Sequence, residues 1–214
     1  MKKILLIAGL ILAVTTINAQ YYIGGSFGIS GNSGKNADGK KIGYSNMNFS
    51  ITPEIGYNLS EKSDIGISVG FLNNTRKSYQ FTPDEMSSKI TTSGWSLSPY
   101  IRYSFINFGR FDVLGKFALN FSENIIKYFD GEGNQNDKYS STIIGVNLVP
   151  LLFYNLSDRI ALYTQLNFLN LDFSSITDKR DGSKSGSNSS FNFGTNTDNL
   201  ATIDQLRIGF VYKF

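Results

Sequence analysis

The sequence predicts an all-β chain folded as an eight-stranded antiparallel up-and-down transmembrane β-barrel, and three observations predict it. After residue 20, apolar and polar residues alternate with period two almost throughout; the connections between alternating runs are short and long by turns; and aromatic residues gather at the two ends of the apolar faces. Alternation marks a strand with one apolar and one polar face. Alternating short and long connections make antiparallel neighbours with every long connection at one end. Two aromatic belts about 25 Å apart are how a barrel meets both membrane interfaces.

The first element is MKKILLIAGLILAVTTINAQ. Lys2 and Lys3, an apolar run from Ile4 to Val14 and a polar stretch ending at Ala19 have the layout of a secretory signal peptide. The run is too short for a transmembrane helix, which needs about 20 residues. The expected organisation is therefore a signal peptide over 1–19 and a barrel over 20–214. The chain has 20 Lys and Arg against 17 Asp and Glu, and two of the lysines lie in the signal, so the remainder is nearly neutral and does not point to nucleic acid. With no cysteine there is no disulfide staple.

Eight alternating runs follow, over 21–31, 47–59, 64–73, 94–106, 111–122, 142–156, 159–173 and 201–214. The second is typical: Phe49, Ile51, Pro53, Ile55, Tyr57 and Leu59 fall on one face, and Asn48, Ser50, Thr52, Glu54, Gly56 and Asn58 on the other. The short connections are 60–63, 107–110 and 157–158. The long ones, 32–46, 74–93, 123–141 and 174–200, are rich in Gly, Ser, Asn, Asp and Lys and are expected to be loops. Eight strands can close with the first pairing the last.

Alternation alone does not distinguish a membrane barrel, apolar outward, from a soluble one, apolar inward. The polar face favours the membrane, because after Tyr22 it carries small residues (Gly24, Ser26, Gly28 and Ser30; Gly66, Ser68 and Gly70) rather than the charges of a solvated surface. The girdles agree: Tyr57, Tyr103, Tyr154 and Tyr212 lie near the short turns, and Phe49, Phe71, Trp95 and Phe121 near the long connections.

Three of the even strands share a heptad, PEIGYNL (53–59), PYIRYSF (99–105) and PLLFYNL (150–156), and two copies run on into YNLSE and YNLSD. The closing strand, IGFVYKF (208–214), is an imperfect fourth copy with Ile208 in place of proline. Each proline is expected to face outward near mid-membrane and to remove one ladder hydrogen bond or mark a bulge.

On these residues the chain resembles the small outer-membrane β-barrel family of Bacteroidota, whose fold resembles outer membrane protein X and the barrel domain of outer membrane protein A. The resemblance implies residence in the cell outer membrane among its lipids, with long loops extracellular and termini periplasmic. It also implies that the barrel-assembly machinery, with periplasmic chaperones, reads Tyr212 and Phe214 as an assembly signal.

No catalytic constellation emerges. The chain has no histidine, the general base in the enzymes among small outer-membrane barrels, and the expectation is a non-enzymatic protein without cofactor. Its role would be structural or in surface interaction through the loops, with a protein partner left open. The alternatives are a narrow pore for small solutes and an accessory subunit of a larger complex. The inward face carries Glu54, Arg102, Lys116 and Arg207 at similar heights, with Gln205 and Asp112 as further candidates. Such a cluster could be a selective constriction. The narrow lumen of eight strands favours a plug in which Glu54 accepts from the cations. In DGEGNQND (130–137), Asp130, Glu132 and Asn134 have a calcium-loop spacing, but Gln135 and Ser141 stand where that motif needs Gly and Glu, which favours an ordinary loop. Segment 178–199 reads as low-complexity and flexible, with Phe191 and Phe193 either a sticky contact or the upper end of the last strand.

Overall fold

The computed structural model describes residues 20–35, 37, 41–79, 86–166, 169–180, 183–195 and 208–214. Residues 1–19, where a signal peptide is expected, and residues Gln205 and Arg207 lie outside the described residues. Ten strands form: β1 (Tyr21–Lys35), β2 (Lys41–Asn58), β3 (Ser63–Tyr79), β4 (Met86–Phe108), β5 (Phe111–Asp130), β6 (Gln135–Asn155), β7 (Ile160–Gln165), β8 (Leu169–Arg180), β9 (Ser183–Thr195) and β10 (Ile208–Lys213). Eight of them close a ring in the order β1-β2-β3-β4-β5-β6-β7-β10, every neighbour antiparallel. The hairpin β8–β9 is added to the upper part of β6.

The apolar face points outward. Phe117, Leu119 and Ile144 are 43%, 51% and 58% exposed, whereas Arg102 and Glu54 are 2% and 6% exposed inside. Burial is inverted relative to a water-soluble fold, and lipid is the solvent that makes this favourable.

The long connections are a correction to the sequence reading. Most of 32–46, 74–93, 123–141 and 174–200 is strand, not loop, and the described part of 178–195 belongs to β8 and β9. Most of these extensions carry Ser, Thr, Asn and Lys on both faces, and in β5 the adjacent Ile125 and Ile126 fall on opposite faces, so the hydrophobic period disappears. The backbone ladder nonetheless continues from the register set lower down. Phe191 sits within β9, opposite Phe173 on the outer face, and is 68% exposed.

The prolines set the second departure. Pairing of β2 with β3 lapses between Ile51↔Phe71 and Glu54↔Ser68, around Pro53, and pairing of β4 with β5 lapses between Leu97↔Phe121 and Tyr100↔Ala118, around Pro99. Register is the same on both sides of each gap, so these are lost ladder bonds rather than bulges. At Pro150 the effect is larger. Leu148 pairs with Leu171 of β8 but Leu151 with Gln165 of β7, so the expected seventh strand 159–173 is two strands with a register shift between them. The missing N–H of proline leaves the facing strand free to change register there. Every gap falls on the side of the next strand in the chain.

The repeated YNLS segments make one turn twice. Leu59 and Leu156 N–H donate to the carbonyls of Ser63 and Ile160, both at 2.9 Å. Ser60 Oγ accepts from Ser63 N–H and Ser157 Oγ accepts from Ile160 N–H, each at 3.1 Å. The third short turn uses Gly109 at φ 67°, a conformation that favours glycine. At the chain end, Phe214 N–H donates to Tyr21 O at 3.0 Å, which fastens the last residue to the first strand.

Candidate functional site: the lumen plug

Register alone brings the inward charges together. Gly24 pairs with Glu54, Asp64 with Arg102, and Arg102 in turn with Lys116, so β1 to β5 present these side chains at one level. Arg102 Nε donates to both oxygens of Asp64, at 2.8 and 3.1 Å, and its Nη1 donates to Glu54 Oε1 at 3.2 Å. Lys116 Nζ lies 3.5 Å from Glu54 Oε2. Two cations therefore meet two anions in a buried, neutral quartet.

Aromatic rings complete the closure. Tyr22 O–H donates to Asp64 Oδ1 at 2.6 Å and lies 2.9 Å from the Tyr100 hydroxyl. The Arg102 guanidinium sits 4.7 Å from the Tyr22 ring centre and 5.2 Å from those of Tyr100 and Phe153, and Lys116 Nζ lies 4.0 Å above Tyr100. Such contacts stabilise a cation best where water is excluded. Phe153 stacks on Tyr163 at 4.9 Å.

Three glycines make room for these rings. Tyr22 stands opposite Gly56, Tyr100 opposite Gly66 and Tyr163 opposite Gly209, and a Cβ on any of the three glycines would overlap the facing ring. The small residues of the polar face thus serve as seats for tyrosines that lie across the lumen.

Of the expected cluster, Glu54, Arg102 and Lys116 meet as described. Asp112 does not join them: it lies at the short-turn mouth, accepting from Asn107 Nδ2 at 2.5 Å and Asn155 Nδ2 at 2.6 Å. Asp64 is the residue the sequence reading missed. Its signal was present, since it shares the parity of Gly66, Ser68 and Gly70, and a lone Glu54 could not balance the cations expected around it.

The girdle residues pair at the outer face. Tyr57 packs edge-on against Tyr21 at 5.0 Å, Tyr103 against Phe105 at 5.3 Å and Tyr212 against Phe214 at 5.3 Å, and Tyr154 lies tilted on Phe111 at 4.9 Å, all at the short-turn end. Trp95 packs on Phe121 at 5.5 Å toward the long-hairpin end.

Above the quartet the lumen is lined by amides and hydroxyls. Ser98 Oγ donates to Asn120 Oδ1 at 2.7 Å, Asn48 Nδ2 donates to Ser30 Oγ at 3.1 Å, and Asn74 Nδ2 donates to Asn48 Oδ1. In the β5–β6 tip, Asp130 caps its own turn: Asn134 N–H donates to Oδ1 at 2.8 Å and Asn134 Nδ2 to Oδ2 at 3.2 Å. Those hydrogen bonds hold the Asp130 carboxyl below the usual aspartate range. Among the described residues, no group of three or more His, Cys, Asp or Glu is placed to hold a metal.

A closed antiparallel ring with an apolar exterior and an ion-paired interior defines an integral β-barrel of the outer membrane. The chain matches the family described as outer membrane protein beta-barrel domain over residues 4–214, and it belongs to that family. It is similar to the crystal structure of a major outer membrane protein from Thermus thermophilus, at 15% identity and a TM-score of 0.45, covering 91% of this chain and 98% of that one. Neisserial surface protein A is similar at 14% identity and a TM-score of 0.41, covering 92% and 98%. The translocator domain of the autotransporter NalP from Neisseria meningitidis is similar at 12% identity and a TM-score of 0.41, covering 97% and 95%. No curated protein sequence matches it.

Proposed function

We propose that this protein is a non-enzymatic outer-membrane anchor whose closed barrel holds long hairpins at the cell surface for structural or interaction roles. The observation that carries this reading is the quartet of Arg102, Glu54, Asp64 and Lys116, which fills the lumen with mutually satisfied charges. Eight strands leave an interior just wide enough for side chains, and here those side chains are hydrogen-bonded across it. The absence of histidine and cysteine from the sequence removes the commonest general base and the most reactive nucleophile. The long hairpins face outside and the short turns and termini face the periplasm. Tyr212 and Phe214 serve the assembly machinery during insertion, and the shared heptad favours a source among the Bacteroidota.

In planar bilayers the purified protein is expected to show no stable unitary conductance. A stable conductance that changes in Glu54→Ala or Arg102→Ala would establish the pore instead. Orientation is tested separately, because the chain has no native cysteine. Ser187→Cys should react on intact cells with a membrane-impermeant maleimide, and Lys62→Cys should not. Gentle detergent extraction with mass spectrometry distinguishes a free anchor from a subunit: fixed co-purifying partners would favour the subunit.

A further inference from the structure

The outer face of the long hairpins carries lysines in directly opposed pairs. Lys77 stands across from Lys89 in β3–β4, Lys127 from Lys138 in β5–β6, and Lys179 from Lys184 in β8–β9. A fourth pair, Lys35 and Lys41, is in register at the end of β1–β2. The repetition in all four long hairpins makes an isolated accident a poor account.

Parity fixes the side on which the first three pairs lie. Lys77 and Lys89 continue the outward row of Phe71 and Trp95, and Lys127 and Lys138 that of Phe121 and Ile144. Lys179 continues the row of Phe173. In each of these rows the lysine lies six residues beyond the girdle residue, which at this tilt is about 15 Å farther from the membrane centre. That is the depth of a bulky headgroup layer, within reach of a flexible lysine side chain.

Like charges directly opposed across a ladder repel. Among the described residues none of these six lysines is in an ion pair; the surface pair at this level, Arg180 with Asp137, lies on the lumen side. Lys89 has a ring contact, 5.2 Å from Phe129, which does not neutralise it. Glu123, four residues below Lys127 on the same face, is the one carboxylate on these outward rows between girdle and lysines among the described residues. The barrel thus keeps a net band of positive charge, offset on the described rows by Glu123 alone, spread over β3, β4, β5, β6, β8 and β9 about 15 Å beyond its upper girdle.

We infer that this band binds the phosphate groups of anionic lipids in the leaflet that meets the long hairpins, each opposed lysine pair clamping one phosphate. A band that follows the circumference fits an annulus of lipid, and the net positive charge calls for an anion. The leaflet is the outer one if the orientation proposed above holds. The lipid test does not depend on that orientation, since it uses membranes of symmetric composition.

The test compares the full chain with a variant carrying Gln at Lys77, Lys89, Lys127, Lys138, Lys179 and Lys184, in uncharged detergent titrated with phosphatidylglycerol or phosphatidylcholine. The wild type should be stabilised by phosphatidylglycerol well beyond phosphatidylcholine, and this excess should fall with salt. The single-hairpin variant K127Q/K138Q, which keeps the other two pairs, should lose roughly a third of that excess stabilisation. In uncharged detergent alone the six-site variant should unfold at a higher temperature than the wild type, because repulsion is removed without loss of a ligand. An undiminished phosphatidylglycerol preference in the six-site variant overturns the inference. So does wild-type binding of soluble heparin without any lipid preference, which would point to a polyanionic partner.

Discussion

The barrel below its prolines and the hairpins above them follow opposite rules. Below, eight strands close a ring around Arg102, Glu54, Asp64, Lys116 and three tyrosines, each charged group held by another. Beyond the upper girdle of Phe49, Phe71, Trp95 and Phe121, the strands run on as hairpins with polar residues on both faces, and their ion pair, Arg180 with Asp137 at 2.7 Å, is partly exposed. The lower part has one solution, because every buried polar group must find its partner. The upper part is solvated on both sides and can vary in sequence while the backbone ladder persists. Tolerance of change therefore belongs to the upper part, and the fold to the lower.

The sharpest way to break this contrast is to remove one cation from each region. Arg102→Ala leaves the buried Asp64 without a cation, held only by the Tyr22 hydroxyl, and Glu54 with Lys116 alone, and should cost about 3–5 kcal/mol. The check is folding yield, read as the heat-dependent shift in gel mobility. Arg180→Ala removes a partly exposed pair and should cost about 0–1 kcal/mol. Equal losses would mean that the lower lumen is wetter than its geometry implies. A double variant, Arg102→Met with Asp64→Leu, leaves Glu54 paired with Lys116 and should recover part of the loss.

Sequence and structure agree unevenly between the same two regions, for a physical reason. Ring order, strand direction, the outward prolines and the meeting of Glu54, Arg102 and Lys116 were legible because lipid on one side and a narrow lumen on the other impose strict alternation. The hairpin extensions were not, since Ser, Thr and Asn on both faces erase the period while leaving pairing intact. The division of the seventh strand into β7 and β8 was hidden for another reason: it depends on what Pro150 fails to donate to its neighbour, which no pattern within 159–173 records. Asp64 was overlooked at a strand end, although charge balance pointed to it.

The closing strand gives a test of intermediate size. In β2, β4 and β6 the heptad proline opens a gap toward the following strand; in β10 that neighbour is β1, and the position holds Ile208. Among the described residues β1 and β10 pair from Tyr22↔Lys213 to Phe27↔Ile208, which closes the ring. Ile208→Pro would remove a donor from the closing seam and leave a carbonyl unsatisfied, at a cost of roughly 1–3 kcal/mol. Pulse-chase assembly in cells should then slow, while Ile67→Pro, opposite Pro99 in the middle of a long ladder, provides the comparison within the lower barrel. Normal assembly of the Ile208 variant would mean that closure does not depend on this hydrogen bond.

The smallest effect is expected at the tip of β5–β6. Gly133, at φ 91°, lets the chain reverse while the Asp130 carboxylate accepts from the Asn134 backbone. Those hydrogen bonds lower the Asp130 pKa in the folded hairpin, so their contribution is complete above the unfolded value and is lost as pH falls through the lower, folded one. Amide protection at Asn134 should thus be flat from neutral pH down to about 4, the ordinary aspartate value, and decline only below it. Asp130→Ala should abolish that dependence and loosen the tip, without changing the heat-dependent mobility of the barrel. A loss of barrel stability in this variant would contradict the separation of the two regions, because it would couple a solvated turn to the buried quartet far below it.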